Sequence, residues 1–189
     1  MSQLVFLLEE PSMESFLITL LPKLIPNDIP YKLITHRGKQ DLEKSIPKKV
    51  RVSSWKPEPI FVIVRDQDSG DCKKIKEKLI ELCDNKNGYK HCVRIVCREL
   101  ESWYLGDLKA VSKAYNMDKL SKLQEKQKFR DPDKLNNASA ELEILVSDSR
   151  KVERARKIAS FINLENNRSH SFNVFIEGIK KVVDSFNNI

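Results

Sequence analysis

The sequence predicts an α/β fold, with a mostly parallel central sheet, helices on both faces of the sheet and a mainly helical C-terminal region. Strand-like and helix-like segments alternate through the first half of the chain, which is typical of parallel sheets. Residues 60–64 are continuously apolar, as in a strand that is buried on both faces. Beyond residue 105 helical patterns dominate, and Pro132 is the only proline there.

The first half contains four expected strands, at residues 4–8, 31–35, 60–64 and 91–97. Helix-like segments separate them. Ser12 is placed to cap the first helix and Pro22 to end it, a short helix opens after Gly38, and residues 72–83 form an amphipathic helix. A turn is expected at residues 85–88, and residues 99–104 run from the fourth strand into a further helix.

The second half is expected to pack helices against this sheet. Val152, Ala155, Ala159 and Ile162 form an apolar stripe at helical spacing, and residues 172–186 form an amphipathic closing helix. Residues 142–146 fit either a helix or a strand. We therefore divide the chain into an α/β core at residues 1–107 and a mainly helical extension at residues 108–189.

Composition places the chain among globular proteins. Of its 189 residues 40% are hydrophobic and 32% are charged, and no apolar run approaches the roughly 20 residues that a membrane helix needs. The N-terminus has no basic region before its short apolar run, so we expect a first strand there and no targeting signal. A cytoplasmic protein without membrane contact is expected.

Charge and reactive residues exclude several kinds of chemistry. The net charge of +7 is compatible with nucleic-acid binding without requiring it. The four cysteines have no zinc-ligand spacing and are expected to be free thiols, while three histidines leave little room for histidine-based catalysis. No phosphate-binding loop of the GxxxxGK[ST] type is present, so ATP hydrolysis by this chain alone is not expected.

Two aspartates follow the predicted central strand. Asp66 and Asp68 are two residues apart, so on an extended chain they project to the same side, at the carboxyl end of the strand. Like charges held this close favour a hard cation between them, and Mg²⁺ or Mn²⁺ suits oxygen ligands. The alternative, equally weighted from these residues alone, is a solvated Asp-rich turn.

Further acidic residues follow two other strands. Glu9 and Glu10 follow the first strand, Asp71 lies beyond the central one, and Glu99 and Glu101 follow the fourth. Because parallel strands about 4.8 Å apart end at one edge, their carboxylates can share metal ions. Two such ions promote phosphodiester displacement without histidine. Ordinary surface acids are the alternative. We predict Glu9, Asp66, Asp68 and Glu99 as catalytic, with Glu10 and Asp71 as auxiliary metal ligands and Glu101 as the weakest member.

Basic residues are candidates for contacts with a nucleic-acid backbone. Lys39 stands at a helix start, Arg98 lies beside the acidic cluster, and Arg154 belongs to a basic helix at residues 150–157. Arg168 lies in a polar loop with Ser169 and could bind an anion. The alternatives are a solvated lysine, charge neutralisation by Arg98, and simple helix capping in the polar loop.

The acidic pattern resembles the Toprim domain of topoisomerases, DnaG-type primases and OLD-family nucleases. Glu9 matches the glutamate that follows the first Toprim strand, and Asp66 and Asp68 match the paired aspartates. Toprim domains usually carry glycine directly after that glutamate, whereas this chain has Glu10.

The whole chain more closely resembles a family of small bacterial proteins called RloG-like. The resemblance lies in six segments: Leu8-Glu-Glu-Pro-Ser-Met-Glu-Ser-Phe-Leu17, Gly38-Lys-Gln-Asp-Leu42, Val64-Arg-Asp-Gln-Asp-Ser69, Arg98-Glu-Leu-Glu-Ser-Trp-Tyr-Leu-Gly-Asp107, Arg130-Asp-Pro-Asp133 and Asn167-Arg-Ser-His-Ser-Phe172. It implies a Toprim-like fold and a neighbouring ABC/SMC-type ATPase in loci linked to restriction or phage defence.

These observations lead to two main functional hypotheses, and a topoisomerase- or primase-like role ranks last. The first is a Mg²⁺- or Mn²⁺-dependent Toprim-like nuclease subunit that works with a separate ABC/SMC-type ATPase and cleaves nucleic acid, with DNA favoured over RNA. The second is a non-catalytic regulatory or adaptor subunit of such an ATPase. Either could form a homo-oligomer.

Overall fold

A four-stranded, all-parallel sheet forms the centre of the protein. The structure is a computed structural model and describes residues 2–84 and 86–186. The strand order is β2-β1-β3-β4, so β1 and β3 are central. The strands are β1 (Ser2–Leu8), β2 (Tyr31–Thr35), β3 (Glu58–Asp66) and β4 (His91–Val96). The predicted α/β fold with a parallel sheet is therefore confirmed.

The register brings the carboxyl ends of the strands to one edge of the sheet. Leu8 of β1 pairs with Thr35 of β2 and with Val64 of β3, and Asp66 of β3 pairs with Val96 of β4. Whatever follows each strand therefore emerges within a few ångströms of its neighbours.

Helices cover both faces of the sheet and continue through the second half of the chain. The α-helices are α1 (Pro11–Leu20), α2 (Lys39–Val50), α3 (Cys72–Leu82), α4 (Glu101–Leu105), α5 (Leu108–Tyr115), α6 (Ala138–Val146), α7 (Lys151–Ala159) and α8 (His170–Asp184). Short 3-10 turns lie at Leu21–Lys23, Asp118–Glu125, Gln127–Phe129 and Pro132–Lys134.

The two faces of the sheet carry apolar layers of unequal size. Because side chains alternate along a strand, Val5 and Leu7 of β1 pack in the smaller layer with α2 and α3. Phe6 and Leu8 pack in the larger layer, which includes Trp103 and the buried faces of α1 and α4 to α8. One apolar core thus joins the sheet to the C-terminal helices.

Several local predictions are settled by the helices. Residues 142–146, which fitted either a helix or a strand, form the second half of helix α6. In the stripe predicted on α7, Val152 is 45% exposed, whereas Ala155, Ala159 and Ile162 are buried. The turn expected at residues 85–88 falls partly outside the described residues, since Asn85 is not described. Among the described helices, none combines the length and the apolar character that a membrane crossing requires.

Candidate active site

Glu9 and Asp66 meet at the carboxyl edge of the sheet. Glu9 follows β1 directly and Asp66 is the last residue of β3, so the parallel register sets them side by side. Glu9 Oε2 accepts a hydrogen bond from the Asp66 backbone N–H at 3.0 Å. The Glu9 backbone carbonyl accepts another from Gly38 N–H at 2.9 Å, which fixes the loop before α2. Both acids are therefore held by backbone contacts.

The Asp66 carboxylate is buried at this edge of the sheet. The residue is only 9% exposed. Its Oδ2 accepts a hydrogen bond from Leu100 N–H at 3.3 Å, whereas Oδ1 has no hydrogen-bond partner among the described residues. Burial raises the pKa of Asp66 well above its usual range, and the charges of Glu10, Glu9 and Glu101 raise it further. Among residues 2–84 and 86–186, no cationic side chain forms an ion pair with this carboxylate.

The pKa of Glu9 is raised for similar reasons, but Arg65 partly opposes the effect. Burial is the largest cause that raises its pKa, and the charges of Asp68 and Glu10 add to it, while the hydrogen bond from Asp66 N–H and the charge of Arg65 oppose it. Arg65 Nε lies 4.0 Å from Glu9 Oε2, but its Nη1 binds Glu43 at 2.6 Å. The nearest guanidinium is therefore shared with another carboxylate.

Asp68 sits at the exposed rim of this edge. Its φ of 55° lies in the left-handed region, where the chain turns out of β3. Its backbone N–H donates to the carbonyl of Arg98 at 2.8 Å, which ties this turn to the segment after β4. Lys39 Nζ lies 3.2 Å from Asp68 Oδ2, and the two side chains are 52% and 42% exposed.

The donor set suits a hard cation, although the ligands are not assembled in this conformation. Among residues 2–84 and 86–186, no three His, Cys, Asp or Glu side chains are grouped so that they could hold a metal ion. The free Oδ1 of Asp66 and the neighbouring Glu9 are nevertheless oxygen donors of the kind that Mg²⁺ and Mn²⁺ prefer. Glu10 accepts a hydrogen bond from Ser12 Oγ with one of its two carboxylate oxygens. Asp68 would have to leave Lys39.

The other acids predicted as ligands are engaged elsewhere. Glu99 Oε2 accepts a hydrogen bond from Ser139 N–H at 2.8 Å, at the start of α6. Asp71 is exposed and caps α3 by accepting from Lys74 N–H at 2.9 Å, a contact that lowers its pKa. Glu101, predicted as the weakest member, is buried, and its charge contributes to the raised pKa of Asp66.

The predicted cationic residues differ widely in access. Arg154 is fully buried, where its Nη2 binds Glu101 Oε1 at 2.7 Å and its Nη1 donates to the Asp148 carbonyl at 2.8 Å. A buried guanidinium has no access to a nucleic-acid backbone, so its role here is structural. Arg168 lines a polar cavity of about 580 Å³ near α5, and donates to the Gln124 carbonyl at 2.7 Å.

Two further residues reach the site without having been predicted to belong to it. His36 follows β2 as Glu9 follows β1. Its Nδ1 lies 2.8 Å from the Leu8 carbonyl, and its buried Nε2 has no partner among the described residues. The Tyr104 hydroxyl is also buried and has no hydrogen-bond partner among the described residues. Burial raises its pKa most, and the charges of Glu101 and Asp66 raise it further. The position of His36 directly after a strand was a usable signal; for Tyr104 there was none.

A family model described as "Domain of unknown function (DUF4276)" matches residues 8–180. The chain belongs to the DUF4276 family. The matched residues contain the acidic edge from Glu9 to Asp68 and most of both apolar layers. None of the curated proteins compared with this DUF4276 chain matches it significantly.

Solved structures share the fold of this DUF4276 protein. The C-terminal region of the Burkholderia pseudomallei OLD protein superposes with a TM-score of 0.59 at 14% identity, over 95% of this chain and 98% of that one. The C-terminal region of the Xanthomonas campestris pv. campestris OLD protein gives a TM-score of 0.56 at 12% identity, over 100% and 98%. At these identities the likeness establishes a common fold.

Proposed function

We propose that this protein is a divalent-metal-dependent nuclease subunit that cleaves nucleic-acid phosphodiesters. The observation that carries the proposal is the buried carboxylate pair of Glu9 and Asp66 at the carboxyl edge of the sheet. No cationic side chain of the described residues pairs with Asp66, and Arg65 divides its contacts between Glu9 and Glu43. A cluster of this kind is costly unless it binds something positive, and perturbed acids of this type concentrate at functional sites.

The fold supports this proposal over a generic acidic surface. The same fold occurs in the C-terminal regions of two OLD proteins, and OLD-family nucleases are among the Toprim proteins that the pattern of Glu9, Asp66 and Asp68 resembles. Fold and residue pattern are independent kinds of support, because the fold match depends on the backbone course and the pattern on three side chains.

Each acidic residue has a separate task in this proposal. Glu9 and Asp66 are the inner metal ligands, since backbone N–H groups already orient both carboxylates. Asp68 and Glu10 complete the set from the rim, and Glu99 and Asp71 are auxiliary. A bound Mg²⁺ or Mn²⁺ would supply an activated water and positive charge against the phosphodiester. Lys39, which pairs with Asp68, and Arg98, whose backbone carbonyl binds Asp68 N–H, are the proposed contacts to backbone phosphates.

Asp68 is free to join such a site at little cost. Its ion pair with Lys39 is between two partly exposed side chains, and exposed pairs of this kind contribute about 0–1 kcal/mol. Exchange of the Lys39 ammonium for a divalent cation is therefore energetically easy. The released Lys39 would then be available to a phosphate.

The biological setting is also part of the proposal. The RloG-like resemblance implies a separate ABC/SMC-type ATPase in a restriction or phage-defence locus, and we propose that this ATPase is the partner. DNA is the substrate that we would test first and RNA second.

The test is metal-dependent cleavage of labelled plasmid, single-stranded DNA and RNA, with and without the neighbouring ATPase. Asp66→Asn and Asp68→Asn should abolish cleavage, and Glu99→Gln tests the auxiliary role. Asp28→Asn is the matched control, because Asp28 is an exposed aspartate just before β2, at the opposite end of the sheet. Cleavage that survives in both Asp66→Asn and Asp68→Asn would refute this centre.

Calorimetric titration with Mn²⁺ gives a second readout that does not depend on finding the substrate. Wild type and Asp28→Asn should bind Mn²⁺ equally well, and Asp66→Asn should bind it at least about tenfold more weakly. Equal Mn²⁺ binding by wild type and Asp66→Asn would remove Asp66 from the proposed site.

A further inference from the structure

The outer edge of β4 is one of the two open edges of the sheet, and β2 forms the other. β4 is the last strand in the sheet order, and no strand of the described residues pairs with its outer side. Phe61 N–H donates to the Lys90 carbonyl at 3.0 Å, and Gln67 N–H donates to the Val96 carbonyl at 2.9 Å. The backbone N–H and C=O groups of the even-numbered residues of β4 therefore point towards β3. In a parallel ladder the intervening residues then point their N–H and C=O groups outward. His91 and Val93 are therefore edge residues.

Helix α8 covers only the far part of this edge. Ser171 Oγ accepts a hydrogen bond from Cys97 N–H at 3.1 Å, just past the strand. Arg94 reaches from β4 to α8, where its Nη1 donates to the Val93 carbonyl at 2.9 Å and its Nε to the Val174 carbonyl at 3.2 Å. The edge from His91 to the Val93 N–H remains beside a groove of about 590 Å³.

The groove is apolar at its base and basic at its rim. It lies between α3 and α8, with Ile60, Val93 and Val182 among its apolar residues, and Ile80 is 41% exposed there. Its charged lining residues are all cationic: Lys76, Lys90, Arg94 and Lys181. An edge flanked by apolar contacts and positive charge fits an extended segment that alternates apolar and acidic side chains.

We propose that this groove binds an extended acidic segment of a partner protein, which adds to the sheet beside β4. Pairing with a second copy of this chain would bring two basic rims together, so charge disfavours that occupant. The site is distinct from the acidic edge. It lies at the start of β4, about 16 Å along the strand from its carboxyl end at roughly 3.3 Å per residue. This inference therefore does not depend on the proposed nuclease activity.

The test uses a short fluorescein-labelled peptide that alternates valine with aspartate or glutamate, titrated by anisotropy against the full chain. Lys76→Glu and Lys181→Glu should each weaken binding by about tenfold. Lys74→Glu and Lys180→Glu are matched controls with the same charge change on the same exposed helices, but they do not line the groove, so they should leave the affinity within about twofold. Ile80→Asp should also weaken binding, since it removes apolar contact and adds negative charge.

Hydrogen exchange and modified peptides locate the contact. The amides of His91 and Val93 should become protected when the peptide binds, and a peptide N-methylated at alternate positions should lose its affinity because it cannot extend the ladder. Any of four results would overturn the proposal: no binding at millimolar peptide, equal binding of the lysine counterpart, displacement by a single-stranded oligonucleotide, or self-association through β4.

Discussion

Two aspartates of nearly equal exposure have opposite surroundings. Asp66, at the carboxyl edge of the sheet, is 9% exposed, and Asp148, at the turn between α6 and α7, is 7% exposed. Arg150 holds the Asp148 carboxylate, with Nε 3.0 Å from Oδ1, and Tyr115 Oη donates to Oδ2 at 3.0 Å. The hydrogen bonds from Arg150 lower the pKa of Asp148 to about 2. Burial and neighbouring acids instead raise the pKa of Asp66.

The difference separates acids that build the fold from acids that are available for binding. Asp148 is paired with Arg150, and the buried Glu101 of α4 is paired with Arg154 of α7, so these acids have counter-charges that join elements of the fold. Within the part of the chain that the structure describes, Asp66 has no ion-pair partner, and Glu9 has only Arg65, which is shared with Glu43. This deficit of positive charge favours the binding of a cation. The burial of an acidic residue therefore does not indicate its role, whereas the presence or absence of a cationic partner does.

The largest expected effect comes from breaking the buried pair. Arg154→Met preserves much of the volume but leaves Glu101 buried without its cation, so the free energy of unfolding should fall by about 3–5 kcal/mol in urea titrations. Arg156→Met, on the exposed side of the same helix, is the control and should change it by about 0.5 kcal/mol or less. A loss below about 1 kcal/mol for Arg154→Met would mean that this pair does not stabilise the helical part.

Asp148→Asn should have the next largest effect. The free energy of unfolding should fall by about 1–3 kcal/mol at pH 7, because the hydrogen bonds to Arg150 and Tyr115 weaken. The pKa in the folded protein lies below the unfolded value of 3.8, so the contribution is present above pH 3.8 and is lost as the pH falls towards about 2. Urea titrations over that range should show wild type and variant converging. A constant difference would assign the effect to packing.

Asp66→Asn should shift stability in the opposite direction. The amide keeps an oxygen for Leu100 N–H but carries no charge, so we expect stabilisation by about 1 kcal/mol, or a Tm about 2–4 °C higher, at pH 8 without divalent metal. The pKa of Asp66 is raised in the folded protein, so its burial costs wild type no stability at low pH, where the carboxyl is protonated. Wild type loses stability as the pH rises through that pKa. The Tm values of the two proteins should therefore become equal near pH 4. A lower Tm for the variant at pH 8 would contradict an unmet charge at Asp66.

The smallest effect is expected at the rim. Lys39→Ala removes the exposed ion pair with Asp68, so the free energy of unfolding should change by about 0–1 kcal/mol. Mn²⁺ should bind more tightly to Lys39→Ala than to wild type in calorimetric titrations, since the competing ammonium is gone. Lys44→Ala, an exposed lysine on the same helix, is the control for net charge. Weaker Mn²⁺ binding by Lys39→Ala than by Lys44→Ala would show that Lys39 does not compete for Asp68.

Local sequence rules predicted the sheet because the decisive information is local. An apolar run of a few residues is enough to identify a strand such as β1 or β3, and alternation assigns its side chains to the two faces. The same rules explain why Glu9 and Asp66 were expected to meet, since both follow or end parallel strands. They failed for Val152, where helical spacing indicated a buried residue and the structure has an exposed one.

The sequence by itself determined the fold class, the order of its elements and the acids that reach the carboxyl edge of the sheet. Only the tertiary structure decided which charges are paired: Arg154 meets Glu101 across 53 residues of chain, while Asp68 turns to Lys39. It also decided that the edge of β4 stays open beside a basic groove. The physical reason is that strand and helix patterns depend on neighbours a few residues apart, whereas counter-charges and free edges depend on contacts made between distant segments when the whole chain packs.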